Sequence, residues 1–131
     1  MEIDLRRDRT VAALSAADRG DFKAASGYVV DLVADDPMGS HGHRTWGRVL
    51  VADNRLADAV VAFETAVEMD PDDAELRFEL ASALVYEGRA DSFPRSSVWV
   101  EAMAAVHAGL EREPNSEQGQ RILRVIEAER V

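Results

Sequence analysis

The chain repeats itself at an interval of 34 residues. Pro37 and Pro71 stand that far apart, as do Ala25 and Ala59, Val29 and Phe63, Phe22 and Leu56, and Ala13 and Gly47. Each proline closes an apolar-periodic stretch that ends in acids, Val29-Val-Asp-Leu-Val-Ala-Asp-Asp-Pro37 and Phe63-Glu-Thr-Ala-Val-Glu-Met-Asp-Pro71. A third copy, Val106-His-Ala-Gly-Leu-Glu-Arg-Glu-Pro114, follows 43 residues after the second, which is the interval plus nine. Self-similarity at such an interval specifies stacked supersecondary units, none of which can bury its apolar face alone.

Each unit reads as two helices. Trp46, Val49, Leu50 and Asp53 recur on helical turns, Asn54-Arg55 interrupts them, and Ala59, Val60, Phe63, Ala66 and Val67 resume at spacings of three and four. Proline disfavours helix in the residue before it but suits a first helical turn, so Asp70-Pro71-Asp72 ends one helix and starts the next. Gly20, Asn54 and Gly88 mark the breaks inside the units, since all three residues tolerate the left-handed conformation that ends helices. The spacing predicts helices near 5–19, 22–35, 40–53, 56–69, 73–87, 97–112 and 116–130.

These residues resemble the tetratricopeptide repeat family, whose 34-residue unit is a helix-turn-helix with a Trp, Leu-Gly, Tyr, Ala, Phe, Pro pattern. Gly47, Ala59, Phe63, Ala66 and Pro71 of the second unit match it, with Trp46 and Leu50 as apolar equivalents. The first unit keeps Ala13, Gly20, Phe22, Ala25 and Pro37, and the third keeps Leu80, Ala81, Leu84, Gly88, Ala102 and Pro114. Arg9, His43 and Arg77 depart from it where an aromatic is usual, and Leu32 where a small residue is usual. The resemblance implies an all-α fold, a right-handed α-α superhelix or solenoid. Three units, 6–39, 40–73 and 74–116, and a capping helix, 116–131, would form one domain over 1–131. The third unit carries an insertion, 89–97, expected to be a loop, either a neutral surface insertion of the kind long loops tolerate or a binding element with Phe93 and Arg95 as its contacts.

Composition narrows the function. Twenty-five acids against fifteen bases give a net charge of −10, which repels phosphate backbones and anionic membranes, so neither nucleic acid nor membrane is an expected partner. No apolar run approaches the roughly 20 residues needed to span a bilayer, and residues 1–14 lack the order of a signal peptide, so a soluble, cytoplasmic chain is expected. Only Lys23 among the bases is not arginine, a bias that fits a GC-rich bacterial genome. With no cysteine there is neither a disulfide framework nor a thiolate metal site. His41 and His43 fall short of the three or four ligands zinc needs, and no glycine run forms a phosphate loop. No catalytic residue, metal or cofactor is expected, and the chain reads as a non-enzyme.

Stacked helix pairs instead offer a concave groove to an extended segment. In the family that groove is lined by the first helix of each unit, which implies Arg7, Thr10, Leu14, Ala17 and Asp18, then His41, Arg44, Arg48, Val51 and Ala52, then Glu75, Phe78, Ser82, Val85 and Tyr86. Arg44 and Arg48 are like charges four residues apart and call for a carboxylate, either Glu75 or Glu79 of the next helix or one from a partner. Phe78, Val85 and Tyr86 would then hold an apolar side chain of the same ligand. The positions that clamp a chaperone tail in some relatives are here Thr10, Leu14, Thr45, Glu75 and Glu79, with neither Lys nor Asn, so that ligand is not expected.

The expected role is an adaptor that binds a protein or peptide, acidic or through a C-terminal carboxylate, as a monomer. The alternative is a structural subunit that self-associates or docks permanently in an assembly. If Ala59 sits at a helix crossing, Ala59→Phe should overpack it and cost about 1–3 kcal/mol in thermal melting. An unchanged melt would mean that the repeat register is displaced.

Overall fold

The computed structural model describes residues 5–91, 94 and 97–129. These residues form helices α1 (Leu5–Asp18), α2 (Phe22–Asp35), α3 (His41–Ala52), α4 (Leu56–Met69), α5 (Ala74–Ala90), α6 (Val98–Arg112) and α7 (Glu117–Glu129), with no strand among them. Six helices begin and end within two residues of their expected limits. The seventh, α5, runs three residues further. Phe93 and Arg95 of the insertion lie outside the described residues.

The 34-residue interval persists in the hydrogen bonds. Gly20 and Asn54 both take a left-handed backbone, with φ of 79° and 58°. The next residue then donates its amide five residues back, Asp21 to the Ala16 carbonyl at 2.8 Å and Arg55 to that of Leu50 at 2.9 Å. This satisfies a carbonyl that the helix end would otherwise orphan. Between units, the amides of Gly39 and Asp73 donate to the carbonyls of Asp36 and Asp70, both at 3.2 Å, and Ser116 repeats the bond to Glu113 at the same distance. The side chains of Asp21, Asp73 and Ser116 cap the following helices by accepting from the amides of Ala24, Leu76 and Gly119, caps worth about 1 kcal/mol each.

Arg77, where the family usually has an aromatic, reaches back to the carbonyl of Pro71 through Nε and Nη2 at 3.1 and 2.9 Å. Gln120 makes the corresponding bond to Pro114 at 3.1 Å. Arg9, a second departure, forms an ion pair with Asp35. At these two positions a polar contact, a local hydrogen bond for Arg77 and a longer-range ion pair for Arg9, stands where the family has aromatic packing.

The chain divides into two compact units, Met1–Met69 and Asp70–Val131. In the first, α1 packs on α2, α2 on α3, α3 on α4, and α1 also reaches α3. Its core joins Ala13, Ala16, Ala17, Ala25, Val29 and Val49, with Leu14, Phe22, Val33 and Trp46 against it. Small residues allow the close approach. A Cβ on Gly47 would lie 2.7 Å from the Phe63 ring, and one on Gly42 2.6 Å from a Val33 methyl. Ala59 and Ala66 are wholly buried, as a crossing requires.

In the second unit α5 packs on α6 and on α7, and α6 packs on α7. Gly88 corrects one expectation. It is not a break but a buried position inside α5, where a Cβ would come 2.7 Å from the Trp99 ring. The glycine serves the aromatic from α6, and the helix continues to Ala90.

Two glycine replacements should therefore move stability in opposite directions. Gly27 is an exposed position of α2 with open space around it, so Gly27→Ala should gain about 0.5–1 kcal/mol from backbone entropy. A Cβ on Gly109 would strike Phe78, so Gly109→Ala should lose about 1–3 kcal/mol. Thermal melts of the two variants that shift in the same direction would contradict this packing.

Candidate protein-binding surface

In the first unit, two stripes of expected groove residues meet. Arg7, Thr10 and Leu14 follow one another at helical spacing on α1, as do His41, Arg44 and Arg48 on α3. The Thr10 hydroxyl and His41 Nε2 share a hydrogen bond of 2.6 Å, which sets the two stripes side by side. Arg7 is exposed, while His41, Arg44, Arg48, Leu14 and Val51 are half-buried. Leu14 leans on the alanine core, so it belongs as much to the fold as to the surface. Thr45 is buried and donates its hydroxyl to the His41 carbonyl at 2.9 Å, which occupies it inside α3. Arg44, Arg48, Glu75 and Glu79 all take part in interactions within the chain.

The second unit departs further from expectation. Phe78 and Val85 were expected to meet a ligand, yet they are only 1% and 5% exposed. The cause is α7. The Phe78 ring fills the space left by Gly109 of α6 and Gly119 of α7, where a Cβ on Gly119 would lie 2.7 Å away. At the other end of α5, Arg89 Nε donates to Glu129 Oε1 at 2.8 Å. Early residues of α5 thus meet early residues of α7, and late meet late, so the two helices run in the same direction side by side. The seventh helix covers Phe78 and Val85 in the stripe of α5 that the spacing leaves open. Tyr86 remains 49% exposed and Ser82 half-buried.

Between α5 and α7 lies a hollow of about 270 Å³. Ser82, Val85 and Tyr86 form one wall, and Gln118, Arg121, Ile122 and Val125 the other. The residues of α7 were not among the expected contacts, because the sequence pattern assigns Arg121 to a solvated side. One signal was available. Gly119 stands inside a helix, where glycine costs about 1 kcal/mol against alanine, and such a position implies that something large approaches it.

Residues 50–93 match the family model for the tetratricopeptide repeat. That stretch carries a tetratricopeptide repeat. Its fold is similar to that of a mutant O-GlcNAc transferase from Thermobaculum terrenum, with a TM-score of 0.72 and 19% identity over 96% of this chain. The match takes in 23% of that solved chain, so these repeats correspond to a minor part of the larger protein. No curated protein matches the sequence. Tetratricopeptide repeats are helical scaffolds that generally mediate protein–protein interaction. Among the described residues no helix is long and apolar enough to cross a membrane. Nor does any group of three or more His, Asp or Glu there stand together as a metal site.

Because α7 buries Phe78, ending the chain after Pro114 should uncover that ring and the apolar face around it. Aggregation or loss of cooperative melting is the expected result. A truncated chain that stays dispersed and melts as sharply as the full one would remove this capping role from α7.

Proposed function

We propose that these repeats form a protein-binding module whose α1–α3 face receives an acidic segment of a partner. The Thr10–His41 hydrogen bond carries the reading, because it brings Arg7 beside the His41, Arg44 and Arg48 stripe. In a chain of net charge −10, few places can attract an anion. Arginine suits the task, since its planar fork pairs with carboxylates through two parallel bonds. Leu14 and Val51, both half-buried, border the bases with apolar surface. In this reading the chain acts as one domain over 1–131, a cytoplasmic monomer that needs neither catalysis nor cofactor.

A second reading, a structural subunit, has an observation of its own. An apolar groove runs between α2 and α3 past Val29, Val30, Val33 and Trp46, and Val30 is 66% exposed. Apolar surface of this kind is what a permanent interface covers. Sizing chromatography over a wide concentration range separates the two, because a persistent dimer favours the subunit.

The charge test bears on the first reading. Arg44→Glu with Arg48→Glu should weaken the captured partner by at least about 2 kcal/mol, roughly 30-fold, with unchanged helical circular dichroism. Binding by the unaltered chain should also weaken as salt rises, since exposed charges are screened within about 8–10 Å. Normal binding by the double variant would move the site away from α3.

A further inference from the structure

We propose that the outer face of α2 seats a second copy of this chain, with the two α2 helices crossing antiparallel about a two-fold axis at Gly27. The contact goes beyond both readings of the function. It shares no residue with the α1–α3 face, and it is reversible where a structural subunit is held permanently, because one pair of helix faces falls short of the roughly 1,200 Å² that stable complexes bury.

Glycines within the described helices otherwise have an occupant. A Cβ on Gly42, Gly47, Gly88, Gly109 or Gly119 would come within 2.4–2.7 Å of a side chain from a neighbouring helix. Gly27 has nothing within 4 Å. It stands exposed in the middle of α2, where glycine costs about 1 kcal/mol against alanine, and no close approach among the described residues offsets that cost. Ala24, Gly27, Tyr28, Val30 and Asp31 line a shallow hollow there. Val30 is 66% exposed and Tyr28 39%, so apolar surface surrounds the point where a second backbone could come close.

The charges name the occupant and its direction. Lys23 lies four residues before Gly27 and Asp31 four after it, both exposed and on the same side of α2 as the glycine. Each is therefore about 6 Å from Gly27 along the helix axis. A two-fold axis at Gly27 with antiparallel helices brings Lys23 of one copy to Asp31 of the other, and the same pair forms again at the opposite end. Parallel helices would instead set Lys23 against Lys23 and Asp31 against Asp31. The antiparallel crossing also matches size, because Ala24 and Val30, three residues either side of Gly27, then face each other. Within α2, the residues three and four away from Lys23 and Asp31 include no opposite charge, so neither has a helical partner of the ordinary kind. One helix thus carries both halves of a complementary surface, which a second copy supplies in full and an unrelated helix would have to match independently.

The test is sedimentation equilibrium of the whole 131-residue chain, with amide chemical shifts followed against concentration. In about 0.15 M salt, which screens the repulsion between two acidic copies beyond about 8 Å, a monomer–dimer equilibrium with Kd of about 0.1–1 mM is expected. The shifts should centre on Lys23–Ala34. Gly27→Gln should weaken association at least about 10-fold while the melting temperature does not fall, which separates a blocked contact from an unfolded chain. Lys23→Asp and Asp31→Lys should each weaken it at least about 5-fold, and the two together should restore it. An equimolar mixture of the two single variants should associate more tightly than either alone. Net charge by itself gives a different outcome, since Asp31→Lys makes the chain less acidic and would strengthen association. That outcome, a double variant without recovery, or no dimer by about 2 mM would overturn the proposal. A dimer whose shifts fall on Val33 and Trp46 instead would also overturn it, and would leave the structural-subunit reading standing.

Discussion

The seating of one large side chain against a residue without a Cβ is the contact on which both units depend. Phe63 lies on Gly47 in the first, while Trp99 lies on Gly88 and Phe78 on Gly109 and Gly119 in the second. Helix axes come close only where the facing side chains are small, and close packing then requires an aromatic to fill what the glycine vacates. Each half of such a pair is costly alone. Glycine inside a helix gives up about 1 kcal/mol of propensity, and an aromatic without its seat would strike backbone. The pair is favourable only when both helices are folded, so cooperativity within a unit is built into its contacts.

Polar groups set direction, and those at helix starts add stability as well. The left-handed turns at Gly20 and Asn54 reverse the chain at equivalent points, and the caps from Asp21, Asp73 and Ser116 start the helices that follow. Ion pairs such as Arg55–Asp58 and Arg112–Asp72 lie on the surface, where such pairs contribute about 0–1 kcal/mol. The same surface carries the functional chemistry. In an acidic chain the informative positions are those where bases gather, as they do beside the Thr10–His41 bond.

Most of the fold was legible in the sequence because the signals were local and repeated. Helix limits follow from periodicity, and Gly20, Asn54, Pro37 and Pro71 mark turns through backbone sterics that act within a few residues. Gly88 misled because glycine has two uses, a left-handed turn and a close approach, and periodicity does not tell them apart. The candidate surface was legible in part. Arg7, His41, Arg44 and Arg48 share a side by spacing alone, but Phe78 and Val85 satisfy the same spacing and are buried.

The order of residues settled the repeat, its two-helix unit and the charge of each helix face, all consequences of interactions within a turn or two of chain. Which stripe stays open was settled only in three dimensions. Whether Phe78 faces water or protein depends on α7, whose Gly119 lies 41 positions away, and no local rule reports where a helix so distant will pack. The bond from Thr10 to His41, 31 positions apart, has the same character. The hollow between α5 and α7 has the same character, because the direction in which the two helices run is a property of the packed unit.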